Sequence, residues 1–217
     1  TINTVLHANA TPVIVDVEES SWGIDPKEIE KAITPKTKAI IPVHLYGQSC
    51  DMDAIMKIAK KYNLKVIEDC AEAHGAMYNG KKVGGFGDIG CFSFFGNKVI
   101  TTGEGGMCVT NNSELDEKMR VLRDHGMSKP KRYWHDVVGY NYRLTNLQAA
   151  IGLAQLERIE EIHANRREYE NNYKEILDTK NFTFQNDFKN RKRITWLVSV
   201  LGDKNIDKDE YMNKLKV

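Results

Sequence analysis

The amino-acid sequence predicts an α/β fold, with a mostly parallel sheet flanked by helices and part of a small C-terminal α+β domain after it. Three observations carry that reading. Short apolar runs alternate with helical patterns, one of those runs closes on the acidic pair Glu68-Asp69, and from Thr145 a long helical pattern leads into a new β-rich stretch.

Taken in order, Pro12-Val13-Ile14-Val15-Asp16-Val17 reads as the first short apolar strand. Asp25-Pro26-Lys27-Glu28 then opens a helix: Asp25 caps, Pro26 sits first inside, and Glu28 can reach back. Residues 39–43 give a second buried strand pattern. Residues 51–62 give a helix with Ile55, Met56, Ile58 and Ala59 on one side, and residues 65–68 a strand ending in the acidic pair. Asn79-Gly80 marks a tight turn. Residues 89–94 form a strand apolar on both faces, residues 106–110 another, and residues 113–125 a capped helix stopped by Gly126. Glycines crowd the stretch from Gly75 to Gly106, where backbone must turn or pass close to something bulky.

Thr145, with Gln148 three residues on, is a capping box. It opens one helix through roughly Ile176, with Leu147, Ala150, Ile151, Ala154, Ile159 and Ile162 at helical spacing. At 1.5 Å per residue such a helix spans on the order of 45 Å. It would link a large α/β domain (residues 1–160) to a smaller domain (residues 161–217) begun by Phe182-Thr183-Phe184 and residues 194–200.

Composition excludes more than it assigns. A chain of 217 residues, 41% hydrophobic with a net charge of +1, is an ordinary globular chain with room for a core. Its basic residues are mixed among acidic ones, so no electrostatic footprint for nucleic acid is visible. It has no run of about eighteen apolar residues to span a membrane, and Thr1-Ile2-Asn3-Thr4-Val5 lacks the start of a signal peptide. The expectation is a cytoplasmic protein. Cys50, Cys70, Cys91 and Cys108 are scattered without a C-x-x-C pair and read as buried reduced thiols. His44, His74, His125, His135 and His163 supply no clustered metal ligands with them, so no metal is expected.

The chemistry concentrates around Lys98. It closes the run Cys91-Phe92-Ser93-Phe94-Phe95-Gly96-Asn97-Lys98 and precedes Thr101-Thr102-Gly103-Glu104-Gly105-Gly106. An apolar setting disfavours an ammonium and exposes the nucleophilic amine. Asp69 stands at the end of a predicted strand, where open parallel sheets bind their ligands. One amine for an aldehyde and one carboxylate for a pyridinium nitrogen are what a Schiff-base enzyme using pyridoxal phosphate requires.

The runs around Lys98, from Val66-Ile67-Glu68-Asp69-Cys70-Ala71-Glu72-Ala73-His74-Gly75-Ala76, through Gly139-Tyr140-Asn141-Tyr142-Arg143-Leu144-Thr145-Asn146-Leu147-Gln148, and in Ile41-Pro42-Val43-His44-Leu45-Tyr46-Gly47, occur in one order at compatible spacing. Together they resemble the DegT/DnrJ/EryC1/StrS family of sugar aminotransferases, fold-type I pyridoxal phosphate enzymes, over most of residues 1–165. The resemblance implies that Lys98 holds pyridoxal 5'-phosphate covalently and later moves a proton. It implies that Asp69 meets the ring nitrogen, that Glu72 lies near the ring face or its phenolic oxygen, and that Ser93 binds the phosphate, a neutral donor suiting a dianionic ester. His74 is a secondary member of this group, for which a satisfied core histidine is the ordinary reading.

The same resemblance implies that Asn141 reaches a neighbouring subunit's cofactor phosphate, so that a homodimer shares its active sites, with Arg143 close by for structural or anion-binding work. The implied donor is L-glutamate and the implied acceptor a nucleotide-linked 4-keto-6-deoxy sugar. The Lys98 segment looks most like members making GDP-linked perosamine for surface polysaccharide such as the lipopolysaccharide O-antigen. A dehydratase relative, typically with histidine in place of the lysine, and a sugar-binding or regulatory relative are the alternatives; lysine at 98 disfavours both. Set against the family, the chain is expected to lack a segment at each end, including an upstream glycine and small-hydroxyl loop.

Overall fold

The computed structural model describes residues 1–216. It opens with a short helix, α1 (Ile2–His7). Residues 12–17 then form no strand. Val13 and Ile14 are exposed, and pairing is limited to an antiparallel bridge from Val17 to Ile24. Apolar β-branched residues alone do not make a strand when no neighbouring backbone takes their hydrogen bonds. Helix α2 (Pro26–Ala32) starts as its sequence predicts, with Asp25 accepting from the Lys27 amide and Pro26 in the first turn. Glu28 does not reach back to the cap; it pairs with Lys31 one turn on.

Strand β1 is shorter than expected (Ala39–Ile40), and it pairs in parallel with β2 (Lys65–Asp69). Pro42, lacking an N–H, interrupts the ladder. The association nevertheless continues: Asp69 N donates to Pro42 O (2.9 Å) and His44 N to Asp69 O (3.0 Å). Between the two strands runs α3 (Met52–Tyr62), capped by Asp51, with Met52, Ile55, Ile58 and Ala59 buried on one face. Asn63 ends it in the left-handed conformation.

A hairpin follows, β3 (Met77–Tyr78) and β4 (Lys81–Lys82). Asn79 and Gly80 both have positive φ, +48° and +75°, as a type I′ turn demands. Strand β5 (Ile89–Ser93) lies parallel to β2, and β6 (Gly106–Val109) runs antiparallel to β5. The sheet order β1-β2-β5-β6 is therefore parallel with one antiparallel edge.

Helix α4 (Ser113–Arg123) is capped by Asn112 and ends two residues before the expected His125, because Asp124 leaves helical geometry and bridges Asn141. The predicted capping box is present: Thr145 and Gln148 bond reciprocally at the start of α5 (Asn146–Glu157). The single long helix is not. Arg158 (φ −106°, ψ 12°) breaks it, and α6 (Ile159–Ile176) follows as a separate helix. The periodicity runs through the break because both halves are helical; what changes is the surface each meets. Ile159 and Ile162 pack on the core around Trp196, whereas none of the α5 side chains is buried.

The chain continues through β7 (Phe182–Phe184), β8 (Arg191–Lys192), β9 (Val200–Gly202) and α7 (Lys208–Leu215). β7 pairs with β9, and β8 joins the hairpin alongside β3. One core cluster lies between α2, α3, β1 and β2; a second gathers Cys70, Ala73, Ala76, Val83, Phe94, Val99, Ile100, Ile194 and Trp196. That second cluster takes in Val99 and Ile100, which directly follow Lys98 in the chain. Among the described residues no helix is long and apolar enough to cross a membrane.

Candidate active site

The carboxyl ends of β2 and β5 lie side by side. Asp69 pairs in register with Cys91, so Asp69 closes one strand and Ser93 the other at the same edge of the sheet. The Asp69 backbone is held by residues 42–44 through both its N–H and its C=O. Its Oδ1 accepts from the Ala71 amide (3.1 Å) and its Oδ2 from the Thr1 hydroxyl.

Behind Asp69 sits Glu68, fully buried. Its carboxylate accepts from the amides of Gly84, Phe86 and Gly87, each at 2.7 Å, and from His44 Nε2 at 3.1 Å. Burial pushes its pKa up, but the bonds from His44, Gly87 and Gly84 outweigh that and hold it low. The Cys50 amide donates to His44 Nδ1 (3.1 Å), so His44 is the neutral tautomer carrying its proton on Nε2. His44, Glu68 and Cys70 thus bring ligand atoms within 4.8 Å of one another, a cluster that the sequence spacing did not reveal. Four donors already fill the carboxylate, and the arrangement is satisfied without an ion.

Lys98 lies in the connection from β5 to β6. Its amide donates to Phe95 O (3.0 Å), while Thr101 Oγ1 and the Thr102 amide both donate to Phe94 O. Val99 and Ile100 are buried beside it, each worth about 2 kcal/mol of apolar burial. From α5, Gln155 bonds both the N–H and the C=O of Thr101 at 3.0 Å. The lysine backbone is therefore fixed from two sides. Its Nζ lies 4.1 Å from the centre of the Trp196 ring system, and no carboxylate among the described residues forms an ion pair with it.

Glu72 is half-buried, and its Oε2 accepts from the Tyr46 amide at 2.7 Å. Burial raises its pKa, opposed by that bond and by the positive charge of Lys98. His74 is buried with its ring 5.4 Å from Phe92 and 5.7 Å from Phe94. Neither ring nitrogen has a hydrogen-bond partner, so it is not the satisfied core histidine of the ordinary reading. Burial depresses its pKa to about 4; the Ser93 backbone pulls the other way from beyond hydrogen-bond geometry, and the charges of Lys98 and His163 add to the depression. Ser93 Oγ accepts from the Phe95 amide (3.3 Å), which leaves its hydroxyl hydrogen free to donate.

The whole chain, residues 1–217, matches the model of the DegT/DnrJ/EryC1/StrS aminotransferase family. The chain belongs to this family. It is 60% identical over 159 residues to the GDP-perosamine synthase of Caulobacter vibrioides (73% of this chain, 43% of the relative). It is 47% identical over 214 residues to the GDP-perosamine synthase of Escherichia coli O157:H7 (99% of this chain, 58% of the relative). Among solved structures, the aminotransferase from Psychrobacter cryohalolentis superposes with a TM-score of 0.87 at 37% identity, covering 96% of this chain and 58% of that one. The chain thus spans about half the length of the curated relatives it matches.

Members of the DegT/DnrJ/EryC1/StrS family are fold-type I enzymes dependent on pyridoxal phosphate, and the residues present fit that group. A strand-end carboxylate held by two donors and a serine hydroxyl with a free hydrogen lie at one edge of the sheet, and a lysine amine that makes no ion pair among the described residues stands on the connection that follows, its charge felt by Glu72. The partnerless ring nitrogens of His74 add unfilled polar capacity beside them.

Asn141 and Arg143 are not part of this group. Both are exposed on the connection between α4 and α5; Asn141 bridges Asp124 through its backbone, and Arg143 lies 3.6 Å from the Asp124 carboxylate. Sequence reasoning also assigned nothing to Trp196, which faces Lys98 Nζ, to Arg166, which bonds the Lys98 carbonyl, or to Tyr46, which stacks on Trp196. Tyr46 sits inside a motif quoted for the family resemblance, but Trp196 and Arg166 lie beyond residue 165, where no motif pointed. The expectation of four buried thiols needs correcting too: Cys50 and Cys70 are buried, Cys91 is half-buried, and Cys108 is exposed on the edge strand, its sulfur 4.0 Å from that of Cys91.

Proposed function

We propose that the protein containing this chain is an aminotransferase that moves an amino group from L-glutamate to a nucleotide-linked 4-keto-6-deoxy sugar, as in GDP-perosamine synthesis for surface polysaccharide. The observation that carries the reading is the Lys98 amine, in no ion pair among the described residues, on the connection that follows β5, the strand whose Ser93 end lies beside that of Asp69. The relatives' names point to the sugar.

Pyridoxal 5'-phosphate, when bound, supplies the electron sink that makes a carbon-bound proton of the donor removable. Lys98 would hold it through Nζ and, once released, carry that proton from one carbon to another. Asp69 would face the ring nitrogen with a carboxylate, its orientation fixed by the Ala71 amide. Ser93 would donate its hydroxyl to the phosphate. Glu72, held by the Tyr46 amide, would lie near the ring face or its phenolic oxygen.

We further propose a homodimer in which Asn141 completes the partner's phosphate site, and a division of the chain near residue 160 into cofactor-binding and smaller domains. The exposed apolar side chains of the α4–α5 connection and of α5 support the dimer: Val138 is 91% and Leu147 80% exposed, more than a monomer's surface needs to carry. A direct test incubates the full-length protein with pyridoxal phosphate, L-glutamate and GDP-, dTDP- or UDP-linked 4-keto-6-deoxy sugars. Amino-sugar formation is expected to be fastest with the GDP-linked acceptor. No amine transfer to any of them would remove the assignment.

A further inference from the structure

Residues 193–196 leave regular structure after β8, yet each is tied down. The Arg193 guanidinium forks onto Glu170 at 2.6 and 3.0 Å, Ile194 N donates to Gly47 O (3.2 Å), and Thr195 Oγ1 donates to Glu170 Oε2 (2.6 Å). Trp196 O accepts from Arg166 Nη1 (2.6 Å), and the indole Nε1 donates to Asn97 O (2.7 Å), the residue before Lys98.

The opposing turn is held as firmly. Tyr46, with φ +53°, stacks near-parallel on Trp196 at 6.1 Å between ring centres, and its amide is bonded to Glu72. A left-handed conformation at a bulky aromatic residue is a strained one. Gly47 beside it (φ +90°) leaves no room for a side chain, since a Cβ would lie 2.2 Å from Ile194 O. The indole is thus immobilised on both its backbone and its ring nitrogen, and its face stands 4.1 Å from Lys98 Nζ. An aromatic face at that distance attracts an ammonium through its quadrupole, more strongly where water is partly excluded.

We infer that Trp196 is a positioning residue whose indole face is the resting place of the Lys98 amine whenever that amine is not bonded to cofactor. The inference rests on reading Lys98 as the cofactor lysine. In the proposed reaction the amine is released and must return; this flexible four-carbon side chain makes no ion pair among the described residues, and the indole contact is the fixed position the structure gives it. The indole supplies one without a carboxylate, which would hold the proton instead of passing it on.

The experiment measures lysine reactivity in the full-length protein freed of cofactor, using reductive methylation with formaldehyde and cyanoborohydride and peptide mapping of each lysine. Lys98 is expected to be labelled about tenfold faster in Trp196→Leu than in the wild type, with Trp196→Phe in between. Lys81, Lys82 and Lys174 should keep their wild-type rates. Equal Lys98 rates in all three proteins would overturn the inference. Should the leucine variant not fold, the wild-type protein decides: stacking on the indole moves the Lys98 ε-methylene protons upfield by ring current, and an ordinary shift contradicts it. Borohydride trapping of the cofactor tests the underlying reading separately, because a cofactor found on another lysine would leave the labelling result intact.

Discussion

Asp69 and Lys98 stand out in the sequence because each stands in a run whose order and spacing are distinctive; the fold sets Asp69 at the end of β2 beside β5, and Lys98 in the connection that follows β5. Glu68 was legible only as an acidic neighbour; that it anchors residues 84–87 and His44 is a fact of three-dimensional proximity, sixteen to twenty-four positions apart in sequence. Two predictions belong at this scale. Asp69→Asn keeps cofactor binding but slows turnover by about three orders of magnitude, since an amide can bond the ring nitrogen without holding its proton; titrating cofactor and timing turnover on one preparation checks whether the two separate. His74 is neutral in the fold, with its pKa depressed from 6.5 to about 4. The unfolded chain takes up a proton below its own pKa, so the stability from this group is complete above about pH 6.5 and lost as pH falls toward 4, about 3 kcal/mol in all. Urea midpoints measured across that window should fall more steeply for the wild type than for His74→Phe.

The elements themselves repeat the lesson of local signals against tertiary ones. Caps and turns were readable because their chemistry is contained in a few residues: Asp25, the Thr145–Gln148 box and Asn79-Gly80 all act as expected. Residues 12–17 and the break at Arg158 were not, because the first depends on a pairing partner and the second on what each helix packs against. Helix α6 is fastened by charge. Glu170, 2% exposed, accepts from Arg193, Thr195 and Lys174; burial pushes its pKa up, but these partners, Arg193 first, hold it down at about 2. Its contribution is present above the unfolded carboxyl's pKa near 4.5 and fades as pH falls toward 2. Glu170→Ala removes the bidentate partner of the buried Arg193 guanidinium and leaves it only the 3.3 Å contact of its Nε with Asp187, which should cost about 3 kcal/mol at neutral pH, read as a lowered denaturant midpoint. An unchanged midpoint would show that Asp187 alone satisfies Arg193.

Across the whole molecule, the exposed position of Asn141 and the apolar surface around it lead to a prediction about assembly. In a two-fold dimer with shared sites, Lys98→Ala and Asn141→Ala place both lesions in one site of a mixed pair and none in the other. Mixing the two variants should therefore restore up to about half of normal activity per mixed dimer; demonstrated subunit exchange without rescue would confine Asn141 to its own chain. The account as a whole stands on a single amine. Reducing the cofactor-loaded protein with borohydride and mapping the labelled peptide should place the pyridoxyl group on Lys98 alone, with no label in Lys98→Ala, whereas a label on Lys81, Lys82 or any other lysine would contradict it.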